Sequence, residues 1–183
     1  MAGDAVKRSS PHPARAGRGS HSPHPCLDCG AGLRVSREPH KYTLHPKWAI
    51  TIADAEVLRC PKCGWLSVAI SKPNALHRTI AAEVIRKPAR LSGPELVFLR
   101  MHLGMSARAL SKAIGVVHES ISRWENDILP VSPPVDRLIR TMVALTTAGE
   151  KFPVETLSHI EGDAGPLKLV VTVDPKGIWR RAA

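Results

Sequence analysis

Residues 105–130, MSARALSKAIGVVHESISRWENDILP, read as two short helices about a tight turn. Ser106 is placed to cap the first helix, Leu110, Ala113 and Ile114 recur at i, i+3, i+4, and Gly115 breaks it. A second helix runs from about Val117 to Asn126, with Val117, Ile121 and Trp124 predicted inward and Ser120, Ser122 and Arg123 outward. Upstream, Ser92 is an N-cap with Pro94 in the first turn, Leu96, Leu99 and Leu103 form a stripe, and Gly104 ends it. Downstream of the Pro130–Pro134 turn, Val135, Leu138, Ile139 and Met142 stripe a fourth helix. Polar residues on the outer face of a helix that follows such a turn can meet base edges in a major groove. The same spacing also fits a plain helical bundle whose polar groups are only solvated.

The pattern changes toward the N-terminus. Residues 73–91 read as a connector helix: Asn74 can cap it, Leu76, Ile80 and Val84 share a face, and Pro88 stops it. Residues 26–72 read as short strands between turns. Trp48, Ile50 and Ile52 alternate with Ala49 and Thr51, and Leu66, Val68 and Ile70 alternate with Trp65, Ser67 and Ala69. Residues 1–25 are rich in Pro, Ser, Gly, Arg and His and are predicted to be a disordered basic tail, with His12, His21 and His24 solvated. Residues 150–183 form a C-terminal extension with one strand, in which Leu167, Leu169, Val171 and Val173 share a period of two. The predicted class is α+β: a small β-rich, zinc-ribbon-like module over 26–72, the connector over 73–91, and an all-α domain of four to five helices over 92–149.

Within the β-rich part, Cys26-Leu27-Asp28-Cys29-Gly30 and Cys60-Pro61-Lys62-Cys63-Gly64 are two Cys-x-x-Cys-Gly knuckles, with 30 residues between Cys29 and Cys60. Two intervening residues let both thiolates reach one ion, and glycine after the second cysteine permits the left-handed turn this requires. Four thiolates close a tetrahedral shell, which suits structural zinc bound by Cys26, Cys29, Cys60 and Cys63 and leaves no position for a reactive water. A redox Cys-x-x-Cys needs a single pair at a helix start in a thioredoxin-like pattern, which is absent. His40 and His45 lie between the knuckles and are predicted not to be ligands. A module so short of aromatics needs its metal to fold.

The 183 residues include 26 Lys and Arg against 16 Asp and Glu, a formal charge of +10, with 43% hydrophobic and 4% aromatic residues. Residues 1–25 carry four basic and one acidic side chain, and residues 26–91 carry 11 and five. Residues 92–149 carry six and five, and residues 150–183 five and five. The excess lies in the first half, so an electrostatic grip on a phosphate backbone is expected to draw on it. No run of about 18 apolar residues is present, so no membrane helix is expected, and the first 25 residues lack the apolar centre of a secretory signal. Paired cysteines of metal-binding type fit an intracellular setting.

The stretch 105–130 resembles the Cro/C1-type (XRE) helix-turn-helix family at Leu110, Ala113, Ile114, Gly115 and Ile121 to Asn126. The two knuckles, the Tyr42-Thr43 pair between them, the connector, and Ser122-Arg123-Trp124-Glu125 together resemble the MqsA-type (YgiT-type) antitoxin family over about residues 26–146. The resemblance implies a cytoplasmic bacterial protein, nucleoid-associated when bound to DNA. It implies a homodimer that represses its own operon by binding double-stranded DNA and neutralises a toxin encoded alongside, with structural zinc. Arg123 matches the family's base-reading arginine, and arginine can donate two hydrogen bonds to a guanine edge. Glu119 stands where the family has a reading Asn; because a carboxylate only accepts, either a different operator is expected, or Glu119 repels phosphate and weakens binding. His118 can touch a base or a phosphate, and Ser120 and Ser122 share the outer face. The N–H groups at Ser106 and Ala107 suit a phosphate, with Arg108 and Lys112 as backbone contacts. Trp124 is expected in the core and Glu125 in a structural hydrogen bond.

Two other classes compete. A zinc hydrolase finds no His-Glu ligand pairing, nucleophile motif or phosphate-cradling glycine loop here, so no enzyme is expected. An RNA-binding or protein-adaptor role would place Arg34, Arg37, Lys41 and Lys47 at the main surface. A regulator of the same architecture without a toxin is the nearest variant of the leading reading.

Overall fold

A computed structural model describes residues 20–147, 152–160 and 162–182. The predicted tail falls outside these residues up to position 19, His12 included. The described chain is mixed α and β, with a six-stranded sheet and five α-helices. In order these are β1 (Ser20–Pro25), β2 (Gly32–His45), β3 (Trp48–Arg59), β4 (Leu66–Ala69), α1 (Pro73–Arg86), α2 (Gly93–His102), α3 (Ala107–Ile114), α4 (His118–Glu125) and α5 (Pro133–Thr146), then β5 (Val170–Val173) and β6 (Trp179–Arg181). Strand order is β1-β2-β3-β5-β6, with β4 also paired to β3. The chain divides into two compact units: residues up to Glu38 with Glu56–Ala69, and Pro39–Ala55 with Ile70–Ala183.

The first unit holds β1, the start of β2, the end of β3, and β4. Residues 20–25, expected in the tail, are a strand: Ser20 opposes Val35 and Pro25 opposes Gly32, antiparallel. Proline is tolerated there because β1 lies at a sheet edge, where an N–H is not required on the outer side. Residues 56–59 pair antiparallel with 66–69, Glu56 opposite Ala69 and Arg59 opposite Leu66. Cys26, Leu33 and Cys60 form the buried cluster, and Ala31, Leu58 and Trp65 pack against it. The predicted alternation in β4 does not become burial, since Leu66 is exposed and Val68 only half-buried.

The second unit takes the turn half of the β2–β3 hairpin and everything from residue 70 onward. Trp48, Ile50 and Ile52 are buried on one face of β3 as their alternation predicts, but the next buried residues are Ala55 and Val57. The parity of burial changes between 52 and 55, just before the division between units after Ala55. β5 lies parallel to β3, with Thr51 opposite Val170 and Ile52 opposite Val171, and the Thr51 N–H donates to the Leu169 carbonyl at 2.9 Å. β6, which the sequence reading missed, returns antiparallel to β5. The Trp179 indole N–H donates to the Ser71 carbonyl at 2.9 Å, and Arg181 reaches Glu83 of α1 at 3.3 Å.

The helices bury the stripes their spacing predicts, with local departures. In α1, Leu76, Ile80 and Val84 are buried, but the N-cap is Lys72 in left-handed backbone, so Asn74 lies inside the helix. In α2 the capping interaction is present: Glu95 Oε2 accepts from both the backbone N–H and the hydroxyl of Ser92, each at 2.8 Å. In α3, Leu110 and Ser111 are buried while Ala113 is exposed. Val117, predicted inward, is 65% exposed. It is the extended N-cap of α4, so its side chain leaves the stripe that Ile121 and Trp124 continue. In α5, Val135, Ile139 and Val143 are buried, and Leu138 is 42% exposed. Gly93 permits α2 to start against the end of α4: a Cβ there would meet the Trp124 and Glu125 carbonyl oxygens at 2.7 and 2.5 Å.

Two buried ion networks lock this unit. Arg140 and Asp136 are both fully buried, with Arg140 Nε donating to Asp136 Oδ1 at 2.6 Å. The same guanidinium donates to the carbonyls of Ile85, Lys87 and Ala89, and Asp136 Oδ2 accepts the Leu91 N–H at 2.6 Å. Arg140 thus satisfies the carbonyls that the end of α1 leaves free. In the second network Lys87 Nζ meets Glu95 Oε2 at 2.7 Å, and Glu95 Oε1 accepts the Leu167 N–H at 2.7 Å.

Candidate metal centre and the exposed face of α4

The two knuckles have the same backbone geometry. The Cys26 N–H donates to the Ala31 carbonyl at 2.8 Å and the Gly30 N–H to the Cys26 carbonyl at 2.9 Å. The matching bonds in the second knuckle run from Cys60 to Trp65 at 2.8 Å and from Gly64 to Cys60 at 3.1 Å. Gly30 and Gly64 have φ of 72° and 77°, the left-handed region that the motif requires. Each knuckle is therefore closed by bonds within six residues, which is why its sequence alone specifies it.

Together they bring Cys26, Cys29, Cys60 and Cys63 so close that all four sulfurs lie within 4.8 Å of one another. Cys26 Sγ is 3.6 Å from Cys63 Sγ, and Cys29 Sγ is 3.5 Å from Cys60 Sγ. A tetrahedral ion with metal–sulfur bonds of about 2.3 Å places its ligands about 3.8 Å apart, so the cluster fits a metal such as zinc. Among the described residues no His, Asp or Glu joins the four sulfurs. His45 is otherwise engaged, its Nδ1 accepting the Lys47 N–H at 3.2 Å.

The thiols cannot be treated alike. The backbone N–H of Cys63 directed at the Cys60 sulfur lowers that thiol to about 6. The Trp65 N–H favours the thiolate of Cys63, but desolvation and the neighbouring sulfurs push it up to about 12. Packed thiols resist losing all their protons together, and a bound cation removes that resistance.

The second group of predicted residues lies on α3 and α4, which pack against each other. Glu119, Ser122 and Arg123 are exposed on α4, His118 is exposed at its first position, and Ser120 is half-buried. On α3, Arg108 and Lys112 are exposed and Ala107 is half-buried. Ser106 caps that helix, its hydroxyl accepting the Ala109 N–H at 3.1 Å. On the same two helices Ile121 and Leu110 are completely buried and Trp124 nearly so. Arg100 of α2 holds Glu125 with Nε at 2.5 Å and a second nitrogen at 3.3 Å, and also donates to the Met105 carbonyl at 2.9 Å. Glu125 is thus a structural partner, as its position suggested. Its cation lies 25 residues away, beyond the reach of local spacing.

No family model, curated protein or solved structure matches the chain. Among the described residues no helix is long and apolar enough to cross a membrane.

Proposed function

We propose that the protein is a sequence-specific DNA-binding regulator, in which α3 and α4 form a helix-turn-helix and the cysteine unit is a zinc-ribbon-like module held by structural zinc. The observation that carries this reading is α4. Its outer face offers His118, Glu119, Ser122 and Arg123 to solvent, while Ile121, Trp124 and the Arg100–Glu125 pair fix its inner face. A short helix held this firmly, with donors and acceptors outward and little apolar surface between them, is suited to a major groove. Arg123 is the principal base reader in this reading. Ser106, Ala107, Arg108 and Lys112 position phosphates.

A homodimer is part of the proposal. Leu138 and Leu145, seven residues apart on α5, are 42% and 80% exposed and supply an apolar strip for a second copy. The antitoxin role, with a cognate toxin as partner, rests on the sequence resemblance. The reading assigns no catalytic step to the chain.

The test is binding of the zinc-loaded protein to duplex DNA from upstream of its own gene, with excess unrelated duplex as competitor at two salt concentrations. A footprint of two half-sites about one helical turn apart is expected. Arg123→Ala should weaken the specific complex by about 1–3 kcal/mol and relax the preference at one base pair. Specific binding that survives Arg123→Ala unchanged would remove α4 as the reading helix.

A further inference from the structure

A cavity of about 690 Å³ opens in the second unit where the β2–β3 turn meets residues 87–89 and 164–168. Its size falls in the range of small-molecule sites. Trp48, Pro88 and Leu167 supply apolar walls, and Lys41, Lys47 and Lys168 stand at exposed positions around them. Among the described residues no Asp or Glu lines it. Lys87 also borders the space, but its ammonium is spent: it donates to Glu95 Oε2 and to the carbonyls of Ala164 and Gly165.

Those bonds bear on what the cavity is for. They fix the backbone of residues 164 and 165, while Leu167 is held twice, its N–H by Glu95 at 2.7 Å and its carbonyl by the Trp48 indole N–H at 2.8 Å. Trp48 is in turn packed edge-on against Phe98, with ring centroids 5.4 Å apart. The walls are therefore built from the buried polar network and the core, so a ligand finds a formed site and little ordering cost. The rim is different. Lys41 and Lys168 have no acidic partner among the described residues, and Lys47 meets Asp127 only at 3.9 Å, with the side chains 63% and 43% exposed. So long and exposed a pair is weak, and it leaves Lys47 able to turn toward another anion.

We propose that this cavity binds a small amphipathic anion, a flat or branched apolar body bearing one carboxylate. The body lies against Trp48, Pro88 and Leu167, and the carboxylate is held by Lys41, Lys47 and Lys168. An apolar body alone would leave the three ammonium groups unused, and inorganic phosphate alone would leave the walls bare. The site is independent of the DNA-binding reading, because its occupancy is measured with no DNA present.

The experiment is calorimetric titration of the full-length, zinc-loaded protein with 1-naphthoate and with 1-naphthamide, a neutral probe of the same shape. Naphthoate should bind one per chain, and naphthamide at least tenfold more weakly. The double variant Lys41→Met/Lys168→Met keeps the fold, since both residues are exposed, and should lose about tenfold in naphthoate affinity with naphthamide unchanged. Equal affinity for the two probes would overturn the proposal, as would no heat with naphthoate at millimolar concentration. Unchanged naphthoate binding in the double variant, together with a flatter salt dependence of DNA binding, would reassign these lysines to phosphate contacts.

Discussion

The cysteine-bearing unit and the helical unit exclude water by different means. In the first, Leu33 and Val57 are the buried side chains, among the described residues, that are not cysteines. In the second, β3, β5, β6 and all five helices contribute buried apolar side chains, and two buried ion networks accompany them. A cluster of Leu33 and the cysteines, with Ala31, Leu58 and Trp65 only partly covered, contributes a few kcal/mol, far below the entropy of ordering the chain around it. The first unit therefore needs the bonds its sulfurs can make to an ion, whereas the second does not. One short ion pair from each unit makes a matched contrast. Arg59–Glu38 in the first unit and Arg140–Asp136 in the second are almost equally short, 2.7 and 2.6 Å, yet the first pair is about half exposed and the second wholly buried.

The widest split should come from removing one sulfur. Cys60→Ser should reduce bound zinc from about one per chain to near none, because three thiolates and a hydroxyl make a much poorer shell. Amide-exchange protection should vanish across residues 26–38 and 56–69. It should persist over 76–85 and 93–146, and the helical circular dichroism should change little. Loss of the whole helical signal would mean that the two units fold as one, and the comparison would break.

The ion pairs sharpen the comparison at the next scale. Arg140→Met leaves Asp136 buried without its cation and strands the carbonyls of Ile85, Lys87 and Ala89. It should cost about 3–5 kcal/mol in urea unfolding of the zinc-loaded protein. Glu38→Gln removes an exposed pair and should cost less than about 1 kcal/mol. Similar costs for the two would show that burial is not what separates them.

Much of this arrangement was legible because it is local. The knuckles are closed by hydrogen bonds within six residues, and the stripes of α1, α2 and α5 are set by helical period. Position-specific errors arose at ends. Val117 fits the inward spacing of α4 but sits at its N-cap, where the backbone is extended and the period no longer applies. Ser20–Pro25 has the composition of a tail, yet it acquires a partner strand. The parallel pairing of β5 with β3 joins Thr51 to Val170, and periodicity carries no information about such a partner. The burial of Lys87, Glu95, Asp136 and Arg140 could not be read from local pattern, since a charged residue is seldom fully buried unless paired and the decisive contacts lie largely on other elements. The cavity escaped for the same reason: Lys41 and Lys168 meet only in the fold.

The smallest effect concerns two histidines beside this core. His77 Nε2 is 2.9 Å from the Tyr42 hydroxyl, and Phe98 lies between the His77 and His102 rings at centroid distances of 5.8 and 6.2 Å. Burial lowers both histidines below their ordinary value of 6.5, and at His102 the charges of His77 and Arg78 add to it. The unfolded chain then binds more protons than the folded one near that pH. The stability contributed by the neutral rings is complete above about 6.5, falls as pH drops below it, and stops falling once the folded rings are protonated. Thermal unfolding followed through the helical signal should therefore shift to lower temperature between pH 7.5 and 5.5. The rings are only half-buried, so the shift should be modest beside the loss caused by Arg140→Met. His102→Leu keeps the contact with Phe98 and cannot be protonated, so it should reduce the shift. Because acid also strips metal from cysteine sulfur, Cys60→Ser offers the control: its helical unit should keep the same pH dependence. A pH shift that vanishes in Cys60→Ser would assign it to the cysteine unit and leave the histidines without a part in it.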